Sequence, residues 1–205
     1  MEKNEFRKIC KSRLKFRAKI SAKCTSYIIS RRIANLIRAL GARKILIFLP
    51  LKYEPEILFL KNLMGKKCEF YLPRITDINL KMVKLRLPFV KSHFGLRETL
   101  PQNGYFGKVD LAVIPVVGVD GRLARIGHGK GYYDMFFSGL KHKPTVVFVS
   151  LEDCFTNEIL SLSHDVVGDF YITPSKNYFK RGKYDRDLNR LVRSCGGRWH
   201  RVWGS

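Results

Sequence analysis

A glycine-rich run from residue 125 to residue 134 carries the clearest chemistry in this sequence. It spells Arg-Ile-Gly-His-Gly-Lys-Gly-Tyr-Tyr-Asp, so three glycines alternate with other residues and two cations, Arg125 and Lys130, stand among them. Glycine lets the backbone come close to a ligand, and free N–H groups beside cations suit an anion. The run therefore predicts a phosphate-binding loop, and its closing Asp134 could hold a metal ion.

The loop matches neither of the two common nucleotide-binding patterns. Its Gly-Lys is not followed by Ser or Thr, as a P-loop requires, and the glycines lack the Gly-x-Gly-x-x-Gly spacing. An ordinary glycine-rich turn is the alternative. The flanks favour binding, because the apolar run 110–119 predicts a buried parallel strand and 132–137 predicts a helix start. Strand, loop and helix in that order are how open α/β sheets bind phosphates.

The elements that must position this loop form an α/β pattern. Two helices are expected in the first forty residues, and a third at 55–63 has a proline in its first turn. The apolar runs predict a sheet of about six strands, a common size. We therefore predict a three-layer α/β/α fold with an open, mostly parallel, Rossmann-like sheet. The runs predicted as strands are 45–49, 68–73, 82–87, 110–119, 145–149 and 170–173.

Length and composition limit the organisation of the chain. With 205 residues, 45% of them hydrophobic, it suits one domain, predicted at 1–179, followed by a basic tail at 180–205. We expect that tail to be a mobile or surface-packed extension with one short helix near 187–193. No run approaches the about 18 apolar residues of a membrane span, and the charged start does not suit a signal peptide, so a cytoplasmic protein without membrane contact is expected. The five cysteines lack metal-site spacing.

The net charge of +22 predicts anionic ligands without choosing among them. One hypothesis is a basic nucleic-acid-binding module, in which the tail contacts RNA and the glycine loop is structural. It is the less favoured one, because no helix-turn-helix, zinc-finger or aromatic RNA-binding pattern accompanies the charge. The other is an enzyme for polyanionic small molecules. A sugar-phosphate isomerase or acyl-transfer relative would share the phosphate site without hydrolysing ATP, and a similar fold does not exclude it.

Several motifs, taken together, resemble the 5-formyltetrahydrofolate cyclo-ligase family. The most specific is the stretch from Asp110 through Gly121-Arg122 to the glycine loop, which resembles the family signature in order and spacing. The resemblance runs from Lys3 to about residue 173. Thr99 departs from it where a proline is usual, and Ile126 replaces a common leucine. The other matching pieces are Lys3-x-x-Phe6-Arg7, Phe48-Leu49-Pro50 with Glu54, Phe94-Gly95-Leu96-Arg97-Glu98, and His164-Asp165.

The resemblance implies an ATP- and Mg²⁺-dependent ring closure. The formyl oxygen on N5 of 5-formyltetrahydrofolate would take the γ-phosphate of ATP, N10 would attack the activated carbon, and phosphate would leave to give 5,10-methenyltetrahydrofolate. In such phosphoryl transfer the protein mainly positions the reactants and neutralises charge. The implied ligands are therefore ATP, Mg²⁺ and a reduced folate, possibly polyglutamylated; neither a membrane nor a nucleic acid is implied.

The resemblance also assigns roles to residues. Lys130, Tyr132 and Arg125 are the expected catalytic residues, and Asp134 and Asp165 the expected metal ligands. Leu49, Glu54 and Tyr132 are expected to contact the folate, although Glu56 is an alternative to Glu54 and Tyr132 could simply pack at a helix start. The roles of His128 and His164 stay open, and Tyr133 could instead face the core. The expected nucleotide-binding set is Lys3, Arg7, Arg125, Gly127, His128, Gly129, Lys130, Gly131, Tyr132 and Tyr133.

Overall fold

A long amino-terminal helix packs on one face of a central sheet. The computed structural model describes residues 1–75, 80–91, 97–100, 102–182, 184–185 and 188–202. Helix α1 (Lys3–Leu40) occupies the segment in which two helices were expected, and the backbone of Ser21 leaves helical geometry in its middle. Its apolar side chains, Phe6 and Leu14 before this break and Ile33 after it, are buried against the sheet. The two predicted helices are thus the two halves of α1.

The strands follow the predicted α/β alternation, with shorter elements at several places. In the described part of the chain the remaining elements are β1 (Lys44–Leu46), α2 (Phe59–Met64), a 3-10 turn (Gly65–Lys67), β2 (Glu69–Ile75), β3 (Leu80–Lys84), β4 (Phe89–Lys91), β5 (Arg97–Thr99), β6 (Leu111–Pro115), β7 (Gly118–Val119), β8 (Arg125–Ile126), α3 (Tyr132–Ser138), β9 (Thr145–Val149), β10 (Phe170–Ile172), β11 (Lys176–Lys180), α4 (Leu188–Cys195) and β12 (Arg198–Val202).

Eight of the described strands form one mixed, mostly parallel sheet. Its order is β12-β11-β10-β9-β6-β1-β2-β3, and two small ribbons, β4-β5 and β7-β8, lie outside it. Only β2 with β3 and β10 with β11 pair antiparallel within that sheet. Helices α1, α2 and α4 contribute to the core cluster on one face, and α3 contributes to the cluster on the other. The predicted three-layer α/β/α fold is confirmed.

The sheet has eight strands in the described residues, whereas about six were expected from the sequence. All six predicted strands are present, and the two extra ones are β11 and β12. Tyr178 and Phe179 of β11 are buried between exposed or half-buried cations, so the charged flanks hid a short strand. The described part of the segment from 180 to 202, which was predicted to be a mobile or surface-packed extension with one short helix near 187–193, contains α4 and adds β12 to the sheet. Arg190 ties it to α1 through the carbonyl of Ala39.

Two other elements have different bounds in the structure from those predicted. The expected helix at 55–63 begins only with α2, because the chain first makes a turn in which Ser26 Oγ accepts the N–H of Glu56. The apolar run 110–119 divides into β6 and β7, since the chain leaves the sheet after Pro115. None of the described helices is both long and apolar enough to cross a membrane.

The order of the strands creates a crevice in the middle of the sheet. Strand β1 lies between β2, which follows it in the chain, and β6, which the chain reaches after returning from the other side. At such a switch point the connections after the two strands diverge and leave a cleft at their carboxyl ends. Residues 47–54 follow β1, and the glycine loop follows β6 by way of β7 and β8.

Candidate active site

The β7-β8 ribbon holds the glycine loop in place. Gly118 and Val119 pair with Ile126 and Arg125. The carboxylate of Asp120 at the tip of the ribbon is fully buried and accepts backbone N–H groups from Ala124 and Ser161 at 2.9 Å each. The hydrogen bonds of Asp120 lower its pKa, although burial alone would raise it. A buried carboxylate saturated with N–H donors fixes both the ribbon and the segment that leads to Asp165.

Beyond the ribbon, the glycine loop forms a wall between two cavities. One cavity, of about 340 Å³, is lined mainly by apolar side chains and is called the apolar cavity, and the other, of about 490 Å³, is lined mainly by charged residues and glycines and is called the polar cavity. His128, Lys130 and Tyr132 line the apolar cavity, whereas Gly127 and Gly129 line the polar one. Gly131 lines both. Two ligands bound in the two cavities would therefore meet across this loop.

The apolar cavity is large enough for part of a drug-sized ligand. Leu49 and Glu54, from the chain after β1, lie in its wall, together with Tyr133. Burial raises the pKa of Glu54 to about 7, although the backbone N–H of Leu51 and the charge of Arg125 act in the opposite direction. Burial also raises the pKa of Tyr133, which stays a neutral phenol. The cavity thus has mainly apolar walls and contains the carboxyl group of Glu54, whose charge changes near pH 7.

Cations and carboxylates are paired in the polar cavity. Lys3 Nζ donates to Asp165 Oδ2 at 2.5 Å, and Arg7 Nε donates to the carbonyl oxygen of Gly127 at 2.8 Å. Asp165 Oδ2 also accepts the N–H of Leu162. The first turns of α1 thereby bring Lys3 and Arg7 to residues that lie more than one hundred positions away in the chain. These pairs contain the charges that an anionic ligand and a metal ion would need.

Arg125 is the charged side chain that the two cavities share among the described residues. Its guanidinium lies 4.9 Å from the ring centroid of Tyr133, and Nη1 is 3.3 Å from Asp134 Oδ2. The side chain is 8% exposed, and its Nε has no hydrogen-bond partner in the described structure. A buried guanidinium with an unused donor is poised to bind an oxygen of an incoming anion.

The glycines serve different purposes in the loop. Gly129 and Gly131 have φ of 108° and 69°, a conformation that other residues resist. Gly127 has no such φ, but a Cβ there would lie 2.5 Å from Arg125 Nη1. The missing side chain of Gly127 leaves the space that the guanidinium occupies.

Replacing Gly127 by alanine should therefore displace the guanidinium of Arg125 while the fold is retained. We expect kcat/KM to fall roughly 10- to 100-fold, since small displacements of a positioned group have effects of that size. The melting temperature should change little. Gly139→Ala is the matched control, because the added Cβ would lie 3.7 Å from the nearest atom and φ is −80°. Equal activities of the two variants would contradict this role of Gly127.

Comparison with known proteins agrees with this geometry. Residues 1–166 match the model of the 5-formyltetrahydrofolate cyclo-ligase family. The chain belongs to the 5-formyltetrahydrofolate cyclo-ligase family. It is 27% identical over 171 residues to the 5-formyltetrahydrofolate cyclo-ligase of Saccharomyces cerevisiae, a match that covers 68% of this chain and 80% of that protein. A 90-residue match to the Mycolicibacterium smegmatis cyclo-ligase has 32% identity and spans 42% of this chain but only 46% of that relative.

Solved structures resemble the fold of this cyclo-ligase family member. The 5,10-methenyltetrahydrofolate synthetase of Aquifex aeolicus superposes with a TM-score of 0.68 at 24% identity, covering 85% of this chain and 90% of that one. The synthetase of Mycoplasma pneumoniae gives a TM-score of 0.66 at 20% identity, covering 85% of this chain and all of the other. These two likenesses establish the α/β fold.

The structure places the predicted site residues of this cyclo-ligase family member around one loop. Leu49, Glu54, Lys130, Tyr132 and Tyr133 line the apolar cavity, and the remaining predicted residues, apart from His128, line the polar cavity. Four residues that were expected among the nucleotide contacts line the apolar cavity and not the polar one: His128, Lys130, Tyr132 and Tyr133. Glu56 lies outside both linings and pairs with Arg97 instead. Residues 94–96 of the Phe94-Gly95-Leu96 motif lie outside the described residues.

Other residues of the apolar cavity were missed by the sequence reasoning. Arg74 on β2 and Arg97 on β5 line it, as do the apolar Leu72 and Val83. Each was predicted only as part of a strand or of a motif, because alternation along a strand does not say which face meets a cavity. Arg74, Leu72 and Val83 are brought to the site by the pairing of β2 with β3 next to β1, and Arg97 by the separate β4-β5 ribbon.

The polar cavity suits a magnesium ion held together with phosphate. Asp134 and Asp165 both line it, and the described residues contain no cluster of three or more metal-ligating side chains. Mg²⁺ commonly takes one or two carboxylates and completes its coordination with substrate phosphates and water. Two carboxylates in a cavity that also holds Lys3 and Arg7 match that requirement.

Proposed function

We propose that the protein converts 5-formyltetrahydrofolate to 5,10-methenyltetrahydrofolate, with release of ADP and phosphate from ATP. The observation that carries the proposal is the glycine loop, which separates an apolar cavity from a polar, cationic one and contributes residues to both. A reduced folate suits the first cavity and a triphosphate the second. Family membership supports the same reaction.

The loop would bring the two substrates into contact for phosphoryl transfer. Backbone N–H groups of Gly127, Gly129 and Gly131 would bind the phosphates, and Arg125 would lie beside the transferred group. Asp134 and Asp165 would hold Mg²⁺, which would supply positive charge to the phosphates. Lys3 and Arg125 would each leave a carboxylate partner for a phosphate oxygen, and the carboxylates of Asp165 and Asp134 would then be available to the metal ion.

Residues of the apolar cavity would bind the folate. Glu54 would accept a hydrogen bond from the pterin amino group, and Tyr132 would stack on the ring or hydrogen-bond near the formyl group. Arg74 and Arg97 line the same cavity, and their guanidinium groups suit the carboxylates of a glutamate or polyglutamate tail.

A direct assay tests the proposed function. Purified protein mixed with ATP, Mg²⁺ and 5-formyltetrahydrofolate should produce the strongly absorbing methenyl product, and ADP should appear in equal amount. Folded protein that gives no ATP-dependent absorbance increase would refute the proposal. Salt-sensitive RNA binding by protein that lacks this turnover would favour the nucleic-acid-binding hypothesis instead.

The pKa of Glu54 predicts how folate binding depends on pH. Because burial raises this pKa to about 7, the carboxyl becomes protonated as the pH falls below that value. It is then a poorer acceptor for the N–H of Leu51 and for the pterin amino group. The KM for 5-formyltetrahydrofolate should therefore rise below about pH 7 and level off above about pH 8. Glu54→Gln should raise this KM about tenfold at high pH and remove the pH dependence.

The stability of the fold should depend on pH in the opposite direction to folate binding. A carboxyl whose pKa is higher in the folded than in the unfolded protein destabilises the fold as the pH rises from about 4.5 through about 7. Glu54→Gln should thus raise the melting temperature at alkaline pH. Glu69→Gln is the matched control, since Glu69 is an exposed carboxylate that pairs with Lys84 outside both cavity linings, and this change should alter the KM for folate by less than about threefold. A Glu54→Gln enzyme with unchanged KM would contradict the assignment.

A further inference from the structure

His128 is the loop residue whose chemistry the proposed function leaves unused. His128 lines the apolar cavity, and its buried Nε2 atom has no hydrogen-bond partner in the described part of the chain. The ring of Tyr53 contacts it with 5.4 Å between centroids. A buried polar atom without a partner costs free energy, so it indicates a group that a ligand completes.

The surroundings of His128 keep it neutral. Burial lowers its pKa to about 4, and the charges of Lys11, Arg125 and Arg7 act in the same direction. Tyr53, the aromatic group against the imidazole, is itself a neutral phenol whose pKa burial raises. Neutral imidazole carries a lone pair on one ring nitrogen and can accept a proton there.

Ring closure requires such an acceptor. When N10 attacks the activated carbon on N5, a C–N10 bond forms, the carbon–oxygen bond to the phosphate breaks, and N10 must lose its hydrogen. We propose that Nε2 of His128 is the general base that takes the proton from N10 as the ring closes. The inference rests on the proposed function and assigns one of its steps. The proton would afterwards pass to the leaving phosphate or to solvent when product departs.

The other polar groups of the apolar cavity are poorly suited to this step. Lys130 and the arginines are cations, and Glu98 is 3.7 Å from the guanidinium of Arg74. Glu54 already accepts the N–H of Leu51 and is the group assigned to the pterin. His128 is also the sequence neighbour of Gly127 and Gly129, which line the polar cavity, so it lies near the boundary at which the activated carbon would meet the nucleotide.

Nucleotide binding should make His128 a stronger base. Two of the three cations that lower its pKa, Arg7 and Arg125, line the polar cavity. A polyphosphate in that cavity would offset their charge at His128, so the imidazole would gain proton affinity only when the nucleotide is present. Nucleotide bound in the polar cavity would therefore change the basicity of His128 in the apolar cavity.

Variants of His128 test the proposal through kinetics. His128→Gln should lower kcat about 100-fold while the KM values for ATP and folate change less than about threefold, because a base acts in the chemical step. Added imidazole should restore at least part of the activity of His128→Ala. His142→Gln, at an exposed histidine outside both cavity linings, is the control and should resemble wild type.

Wild-type turnover in the same assay separates the two proposals. Inactive wild-type protein would refute the proposed function, whereas active wild type with an equally active His128→Gln variant would overturn only the role of His128. A loss of activity in His128→Ala that imidazole does not restore, with raised KM values, would also overturn it in favour of a packing role.

A spectroscopic titration gives a second readout that does not depend on turnover. The imidazole resonances of His128, assigned by their loss in His128→Gln, should titrate at a pH well below the ordinary value for histidine in the ligand-free protein. Adding ADP with Mg²⁺ should shift that midpoint upward. An unchanged midpoint with bound nucleotide would overturn the coupling between the two cavities.

Discussion

The Arg125→Lys enzyme should lose kcat by about 10³-fold, with a much smaller change in the KM for folate. Arg125 lines both cavities, so under the proposed function we expect its guanidinium to contact the phosphoryl group during transfer and not only in one of the ground states. Lysine retains the charge but loses the planar fork, the contact with the Tyr133 ring and the simultaneous contact with Asp134. Stabilisation that exists only in the transition state appears in kcat.

Arg122→Lys is the matched control for this change. Arg122 lies in the same connection and donates to the hydroxyl of Ser161 at 3.0 Å, yet it lines neither cavity. Its replacement should leave kcat within about threefold of wild type. If Arg125→Lys retained full kcat under saturating substrate, the arginine would have to be a structural group and not one that contacts the transferred phosphoryl.

The Asp134→Asn enzyme should be the other strongly impaired variant. We expect kcat to fall on the order of 10³-fold, because the amide removes a negative charge that, under the proposed function, would hold Mg²⁺ beside the phosphates. The Mg²⁺ concentration for half-maximal rate should rise as well. Asp134 Oδ1 accepts the N–H of Val166, and an asparagine oxygen can still do so; the fold should survive.

Two comparisons separate metal binding from the ion pair with Arg125. Arg125→Lys should leave the Mg²⁺ requirement near that of wild type, whereas Asp134→Asn should weaken the binding of Mn²⁺ measured by electron paramagnetic resonance in the presence of ADP. Asp153→Asn serves as the control, since Asp153 bonds to Tyr178 and lines neither cavity. Normal Mn²⁺ binding by Asp134→Asn would exclude Asp134 as a metal ligand.

The glycine loop could be predicted from sequence because its information is local. Cations and glycines stand within ten residues, and the apolar run before them predicted the strand that carries the loop. Helix α3 follows at the expected position. The alternate facing of Gly127, His128 and Gly129 toward two cavities could not be predicted, since it depends on how the ribbon is held by Asp120.

Other parts of the site depend on distant residues. Periodicity placed Lys3 and Arg7 only on a basic helix, and their link to the loop came from the family resemblance; the contacts with Asp165 and Gly127 exist only in the folded chain. Strand β11 was missed for a different reason. Its buried Tyr178 and Phe179 lie among lysines and arginines, and charge density dominated the prediction.

The contacts made by the first turns of α1 have a consequence for how the site is assembled. Lys3 meets Asp165 across 162 residues of chain, and Arg7 meets Gly127 across 120. Contacts of such sequence separation form late, after the entropy of closing a long loop has been overcome. During synthesis on the ribosome, α1 therefore emerges before Gly127 and Asp165, the residues that its first turns contact. We therefore expect the polar cavity to be completed only after most of the sheet has formed, so that the proposed nucleotide site would be among the last parts of the molecule to assemble.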